Sequence, residues 1–247
     1  YKDNIIDQYY GLKIQYLYPF ISGKDFTYIP SPYLVVNAVT ESMLNRVTFR
    51  DNKLRRAIGK EVIESYLYNI VRQLDTVTWI SPELLYKKGK DKLLTSDVIA
   101  AEGDNVIFYD TKAITPSLKL RKFDVAEIEA DIEIYAEDVI QIYNQINNYL
   151  QGCFQLDKQY LKDKIFGIVV VLEDAVVSRK KVYEKVYEIL EKTETLDTEE
   201  KNYICSHIKV LPLRAIECMI LQNTSLLPEL IEQLSKPERW YDYTYTN

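Results

Sequence analysis

Apolar residues are distributed along the chain in patterns that predict distinct elements. From 52 to 74, Leu54, Ile58, Val62, Tyr66, Ile70 and Leu74 recur every fourth position, near the 3.6-residue repeat of an amphipathic helix. Thr40, with Met43 and Leu44, opens a helix before it. Residues 77–80 are a short β-like run, and Ser81-Pro82 with the lysine-rich stretch around Gly89 reads as a loop. Two apolar runs, 98–101 and 106–109, flank Gly103-Asp104, a residue pair suited to a type II′ hairpin turn. A long helix is expected from about 124 to 156. Residues 165–172 are then continuously apolar apart from Gly167, as in a strand covered on both faces. A charged amphipathic helix follows at 179–193, a buried strand at 207–213, and helical stretches at 215–221 and 226–234. Residues 1–39, rich in tyrosine and carrying Pro19, Pro30 and Pro32, predict irregular structure with one or two short strands.

A hairpin followed by a helical crossover into a buried strand implies an α/β fold, with a mixed central sheet flanked by helices. Three regions are read from this order. Residues 1–45 form an N-terminal segment, the candidate end of an upstream domain, 46–175 form the core, and 176–247 form a C-terminal α/β extension packed on it. The chain opens at Tyr1 without an initiator Met, which suggests a trimmed chain or the C-terminal part of a longer one.

Composition narrows the classes of function. The content of 47% hydrophobic and 28% charged residues suits a globular protein. The run at 165–172 is far short of the ~20 apolar residues that cross a bilayer, and no secretory leader pattern opens the chain. A membrane partner is therefore not expected. Three widely spaced cysteines, Cys153, Cys205 and Cys218, form neither a metal-ligand pair nor a disulfide frame, which favours a reducing, cytoplasmic setting. Gly-rich phosphate loops, dinucleotide fingerprints and Cys/His zinc spacing are missing. The lone His207 has no nucleophile elbow to serve and reads as structural. A net charge of −6 argues against a surface wholly devoted to nucleic acid. The cations are concentrated, however, at 46–60, at Lys87, Lys88, Lys90 and Lys92, and at Lys119, Arg121 and Lys122. A basic rim on an acidic body fits a phosphate-binding cleft.

The candidate chemistry lies in the 94–112 hairpin. A two-residue turn at Gly103-Asp104 pairs Glu102 with Asn105 and, five residues back along each strand, Asp97 with Asp110. Opposed side chains have Cβ atoms roughly 4.5–5.5 Å apart, so two carboxylates there require a cation between them. Lys112, two residues from Asp110, shares its strand face. Asp97, Asp110 and the Thr111 carbonyl offer the oxygen ligands that Mg²⁺ requires, with Lys112 to orient or deprotonate a water. Glu64, in the helix before, adds a carboxylate, and Glu61 is its rival. Gln141, Gln145 and Tyr149 form a stripe at i, i+4 and i+8 on the long helix. Paired carboxylates also serve glycoside hydrolysis, but a lysine on their face and the lack of an aromatic-lined sugar motif argue against it.

The order Glu64, Asp97, Asp110-Thr111-Lys112 and Gln145-Ile146-Asn147-Asn148-Tyr149 resembles the PD-(D/E)xK nuclease superfamily, in particular its RecB-like branch with a Gln-x-x-x-Tyr element. Gly59 to Tyr66 likewise looks like that superfamily's first core helix. The resemblance spans roughly residues 50–175. It departs from the pattern at Ser96-Asp97, where a proline often precedes the aspartate. It implies a restriction-endonuclease-like αβββαβ core with N- and C-terminal extensions. The implied activity is Mg²⁺-dependent phosphodiester hydrolysis, with Mn²⁺ substituting. Asp97, Asp110, Lys112, Glu64 and Gln145 would be catalytic, and Asp97, Asp110, Thr111 and Glu64 would be the metal ligands. Lys60, Lys119, Arg121, Lys122 and Tyr149 would contact nucleic acid. The reading is a DNA endonuclease, DNA being favoured over RNA, in a microbial restriction, repair or phage-defence setting. A homodimer or a regulatory upstream domain is the candidate protein partner. The alternative is a catalytically silent nuclease-like module that binds nucleic acid or assembles a complex.

Overall fold

The structure, a computed structural model, describes residues 20–29, 32, 35, 52–113, 125–172, 177–193 and 195–221. Two short strands, β1 (Ile21–Ser22) and β2 (Thr27–Tyr28), pair near the N-terminus. Helix α1 then runs from Asn52 to Arg72, with a π-helical stretch, Gly59–Glu64, between two α-helical ones. Strands β3 (Trp79–Pro82), β4 (Leu85–Lys88), β5 (Asp91–Leu94), β6 (Val98–Glu102) and β7 (Asn105–Lys112) lead into helix α2 (Val125–Leu150). After it come β8 (Ile165–Val171), α3 (Arg179–Leu190), α4 (Thr198–His207), β9 (Ile208–Pro212) and α5 (Leu213–Leu221).

One five-stranded sheet, ordered β3-β6-β7-β8-β9, forms the centre. Its first three strands are antiparallel, while β8 and β9 continue it in parallel from β7. The sheet is therefore mixed and flanked by helices, as the apolar pattern implies. β9 brings part of the 176–247 region into the same sheet. Period-two alternation divides the core. Ile99, Val106, Phe108 and Val169 meet α2, α3 and α4 on one face. Val98, Ile107, Tyr109 and Ile168 meet α1 and α5 on the other. Both edge strands, β3 and β9, end on a proline.

The hairpin turns at Gly103, whose φ of +58° lies in the left-handed region that glycine tolerates best. Its ladder runs from Glu102↔Asn105 to Val98↔Tyr109. One further step brings Asp97 level with Asp110, as the turn predicts, just past the last paired residues.

Three expectations change. In α1 the every-fourth-residue stripe is not the buried face: Val62 and Tyr66 are exposed, whereas Ile63, Leu67 and Val71 are buried. A strict four-residue repeat drifts around a helix of 3.6 residues per turn, and the π turn shifts the phase further. The lysine-rich stretch expected as a loop is a hairpin, β4 with β5, turning at Gly89 with φ +63°. Its alternation is hidden because lysines occupy both faces. Helix α4 was not expected from hydrophobic pattern, yet Asp197 caps it by accepting from the Glu200 N–H at 2.7 Å. Asp-x-x-Glu before a short helix is a capping signature. The helices expected at Thr40 and at 226–234 lie outside the described residues. No helix among the described residues is long and apolar enough to cross a membrane.

Gly167 in β8 lets α2 lie close to the sheet. A Cβ there would overlap Ile142 Cγ2, and both neighbours are fully buried. Gly167→Ala is expected to destabilise the protein by about 1–3 kcal/mol through overpacking, measured as a lower urea midpoint with unchanged m-value.

Candidate active site

The site forms where β7 ends and β6 begins, beyond the carboxyl ends of the parallel strands, the usual place for ligands in open α/β sheets. α1 approaches from one layer and α2 from the other. At Gly59 the π turn passes so near that an added Cβ would lie 3.3 Å from the Ala113 side chain, one residue after Lys112.

Asp97 is fixed by Thr111, whose N–H and hydroxyl donate to its Oδ2 at 2.6 and 2.7 Å. Asp110 is buried, and its Oδ2 lies 2.7 Å from the Lys112 ammonium. Asp138 of α2 closes in from the opposite side, 3.4 Å from the same ammonium. Lys112 also donates to Gln141 Oε1 at 2.9 Å, and the Gln141 amide reaches Asp110 Oδ1 at 3.4 Å. The lysine is thus bracketed by two buried carboxylates, one of them, Asp138, not foreseen from sequence.

Electrostatics place two more carboxylates at this space. Burial, then Asp97 and Glu83, push Glu64 up to about 7, with Asp110 adding and Lys60 opposing. Burial and Asp97 likewise raise Glu83, again against Lys60. Glu64 is near enough to the aspartates to feel their charge, Glu61 is exposed, and Lys60 is near enough to matter to both Glu64 and Glu83. Glu83 was also missed: it precedes the unexpected hairpin, and no motif marks it. Burial raises Asp110 and Asp138, Lys112 pulling both back, and Asp138 settles at about 6. For Lys112, burial lowers the pKa, but Asp110, Asp138 and Asp97 more than offset it, so it is raised. At neutral pH it is an ammonium, which suits charge stabilisation.

The polar stripe on α2 runs Asp138, Gln141, Gln145, Asn148, at i, i+3, i+7 and i+10 over about 15 Å of helix. Gln145 is buried and accepts from Ser96 Oγ, holding the residue before Asp97 instead of touching the carboxylates. Tyr149 is turned from the stripe into the core. Its hydroxyl accepts from the Tyr160 N–H at 2.8 Å and donates to the Lys158 carbonyl at 3.2 Å. It lines a cavity of about 440 Å³ with Phe154 and Tyr160, near the far end of α2. The structure thus brings together Glu64, Asp97, Asp110, Thr111 and Lys112, adds Glu83, Asp138 and Gln141, and leaves Tyr149 apart. Lys119, Arg121 and Lys122 lie outside the described residues. His207 is stacked between Phe166 and Tyr203, and the three cysteines are free.

These donors are hard oxygens that repel one another, the chemistry that fits Mg²⁺ or Mn²⁺. As arranged, no group of three His, Cys, Asp or Glu among the described residues converges closely enough to hold a metal ion. The fit is of donor type, with Asp97, Asp110, the Thr111 carbonyl and Glu64 as the oxygens available.

No protein-family model matches the chain, and no solved structure matches it significantly. A stretch of 134 residues, 54% of the chain, is 26% identical to a protein of Gelasinospora sp. (strain G114) named as a probable DNA-directed RNA polymerase. That stretch is only 15% of the polymerase's length.

Proposed function

We propose that the chain is a metal-dependent nuclease of the PD-(D/E)xK kind, hydrolysing phosphodiester bonds in DNA. The observation that carries this reading is the bracketed lysine. An ammonium held by Asp110 and Asp138 lies near Asp97 at the mouth of a mixed sheet, with Glu64 near enough to feel the aspartates' charge. The stretch shared with a DNA-directed polymerase supports a nucleic-acid setting. Over so small a part of that protein it brings no polymerase activity to this chain.

Asp97, Asp110, the Thr111 carbonyl and Glu64 would hold Mg²⁺. The ion would supply Lewis acidity and lower the pKa of a bound water. Thr111 holds Asp97 with one oxygen turned to its backbone. Gln141 ties Asp110 and Lys112 together, and Gln145 steadies the strand through Ser96. Lys112 offers its ammonium to the charge that builds on the phosphate oxygens in the transition state. Lys60 is placed to meet a neighbouring phosphate.

The test is incubation with plasmid and single-stranded DNA in Mg²⁺, Mn²⁺ or EDTA. Cleavage that needs metal supports the reading. The silent-module alternative has one observation in its favour, the lack of three convergent ligands among the described residues, and it predicts a folded protein that binds DNA but never cuts it. Lys112→Ala is expected to keep Mn²⁺ binding by calorimetry and to cleave about a hundred- to a thousand-fold more slowly. Unchanged turnover would remove the lysine from the chemistry.

A further inference from the structure

The β4–β5 hairpin is rooted in the candidate site at both ends. Glu83 lies two residues before β4, and Asp97 three residues after β5. Leu84 and Thr95 clamp the root: the Thr95 N–H donates to the Leu84 carbonyl at 3.0 Å, and Thr95 Oγ1 accepts from the Leu84 N–H at 2.8 Å.

Its two faces differ sharply. On the inner face, Tyr86 is buried against Phe154, with ring centroids 4.8 Å apart. Asn148 of α2 donates to the Tyr86 hydroxyl at 2.8 Å and accepts from the Lys88 ammonium at 2.7 Å. The outer face carries the cross-strand pairs Leu85↔Leu94 and Lys87↔Lys92. Leu85 is 66% exposed and Leu94 46%. Among the described residues, Lys87, Lys90 at the turn, and Lys92 make no ion pair or side-chain hydrogen bond. Like charges directly opposed across a ladder destabilise it. A face whose two opposed ammonium groups find no anionic partner among the described residues, on a protein of net charge −6, is complementary to a polyanion. The exposed leucines beside them suit the apolar faces of sugars between phosphates. A two-stranded ribbon is also of a size that the major groove admits.

We propose that the hairpin is an arm that grips the phosphate backbone of DNA beside the carboxylates, with Lys87 and Lys92 as its principal contacts and Lys90 supporting them. Lys88 is an anchor to the body. The arm rests on the nuclease reading for the choice of a nucleic acid over other polyanions, but it acts in binding and not in bond cleavage.

The test is binding of a labelled DNA duplex and of the matching single strand, in EDTA, across a salt series. Lys87→Ala/Lys92→Ala is expected to bind duplex about ten-fold more weakly at moderate salt, with a slope of log affinity against log salt shallower by about 2. Removing a like-charge pair is expected to leave the melting temperature unchanged or higher. Lys180→Ala on α3, distant in sequence and already paired with Glu184, is expected to bind as the parent does. Equal affinity and equal slope in the double variant would overturn the arm. So would binding to phosphatidylserine vesicles, lost in the double variant, by a protein that ignores DNA. Asp110→Ala separates the two readings, because it is expected to bind DNA normally without cutting it. If the parent never cuts with any metal while the double variant loses binding, the nuclease reading fails and the arm stands. If the parent cuts and the double variant binds as well as it does, the reverse holds.

Discussion

Asp110→Ala is expected to lower Mg²⁺-dependent DNA cleavage by about a thousand-fold or more while leaving the protein folded. Asp110 is linked to several parts of the site. It is paired with Lys112 at 2.7 Å, lies within reach of the Gln141 amide, and adds to the charge that raises Glu64. On the proposed reading, truncating it would remove a metal ligand, and it releases the lysine from one of the two carboxylates beside it. The fold should tolerate this because Asp138 still holds the ammonium, 3.4 Å away, and because one of several mutually repelling carboxylates is gone. Plasmid nicking measures the first effect, Mn²⁺ calorimetry the loss of metal, and circular dichroism the intact fold. Full activity in the variant would remove Asp110, and with it the hairpin, from the chemistry.

The second large effect is on stability. Burial holds the Asp138 carboxyl at about 6 and raises Asp110 in the same direction, above the ~4 of an unfolded chain. Between those values the folded state binds more protons than the unfolded state, so stability falls as pH rises. From pH 5 to 7.5 in EDTA the two aspartates together should cost on the order of 2–3 kcal/mol, a drop in melting temperature of about 5–10 °C. Glu64, raised to about 7, extends the loss toward the upper end. On the proposed reading a divalent cation would reverse the sign, since it would bind only the ionised carboxylates. At a hundred times its Kd it would return about 2.7 kcal/mol, and it should do so at pH 7.5 far more than at pH 5. Thermal scans with and without Mn²⁺ at both pH values measure this. A melting temperature that rises with pH and ignores metal would mean that the carboxylates do not share one site.

Much of this site is legible in the sequence, because it depends on the most local of rules. A glycine-led turn sets the hairpin register, and period two then places Asp97, Asp110 and Lys112 on one face. Glu64 was readable as a carboxylate on the preceding helix with Glu61 as its rival, and a π turn that no periodicity rule anticipates phases that helix. Asp138 and Glu83 were not readable at all. Asp138 looks like any other acidic residue on a helix rich in them, and only the approach of α2 to the end of β7 makes it the second anchor of the lysine. Glu83 depends on a hairpin disguised as a lysine-rich loop. The glutamine–tyrosine element shows the same limit. Its residues lie on α2, but rotation along the helix gives the contact with Lys112 to Gln141, and turns Tyr149 inward.

The prolines that end β3 and β9 bear on how copies of this chain could meet. An exposed sheet edge invites a strand from another molecule, and a proline there withholds the N–H that continued pairing needs. Among the described residues both outer strands are short and stop at such a residue, Pro82 on one side and Pro212 on the other. A two-fold assembly able to cut both strands of a duplex would therefore be joined through helices or through its arms, and not as a ten-stranded sheet running across the pair. The same feature should keep concentrated protein from growing into fibrils, even though its sheet is among the most apolar parts of the molecule.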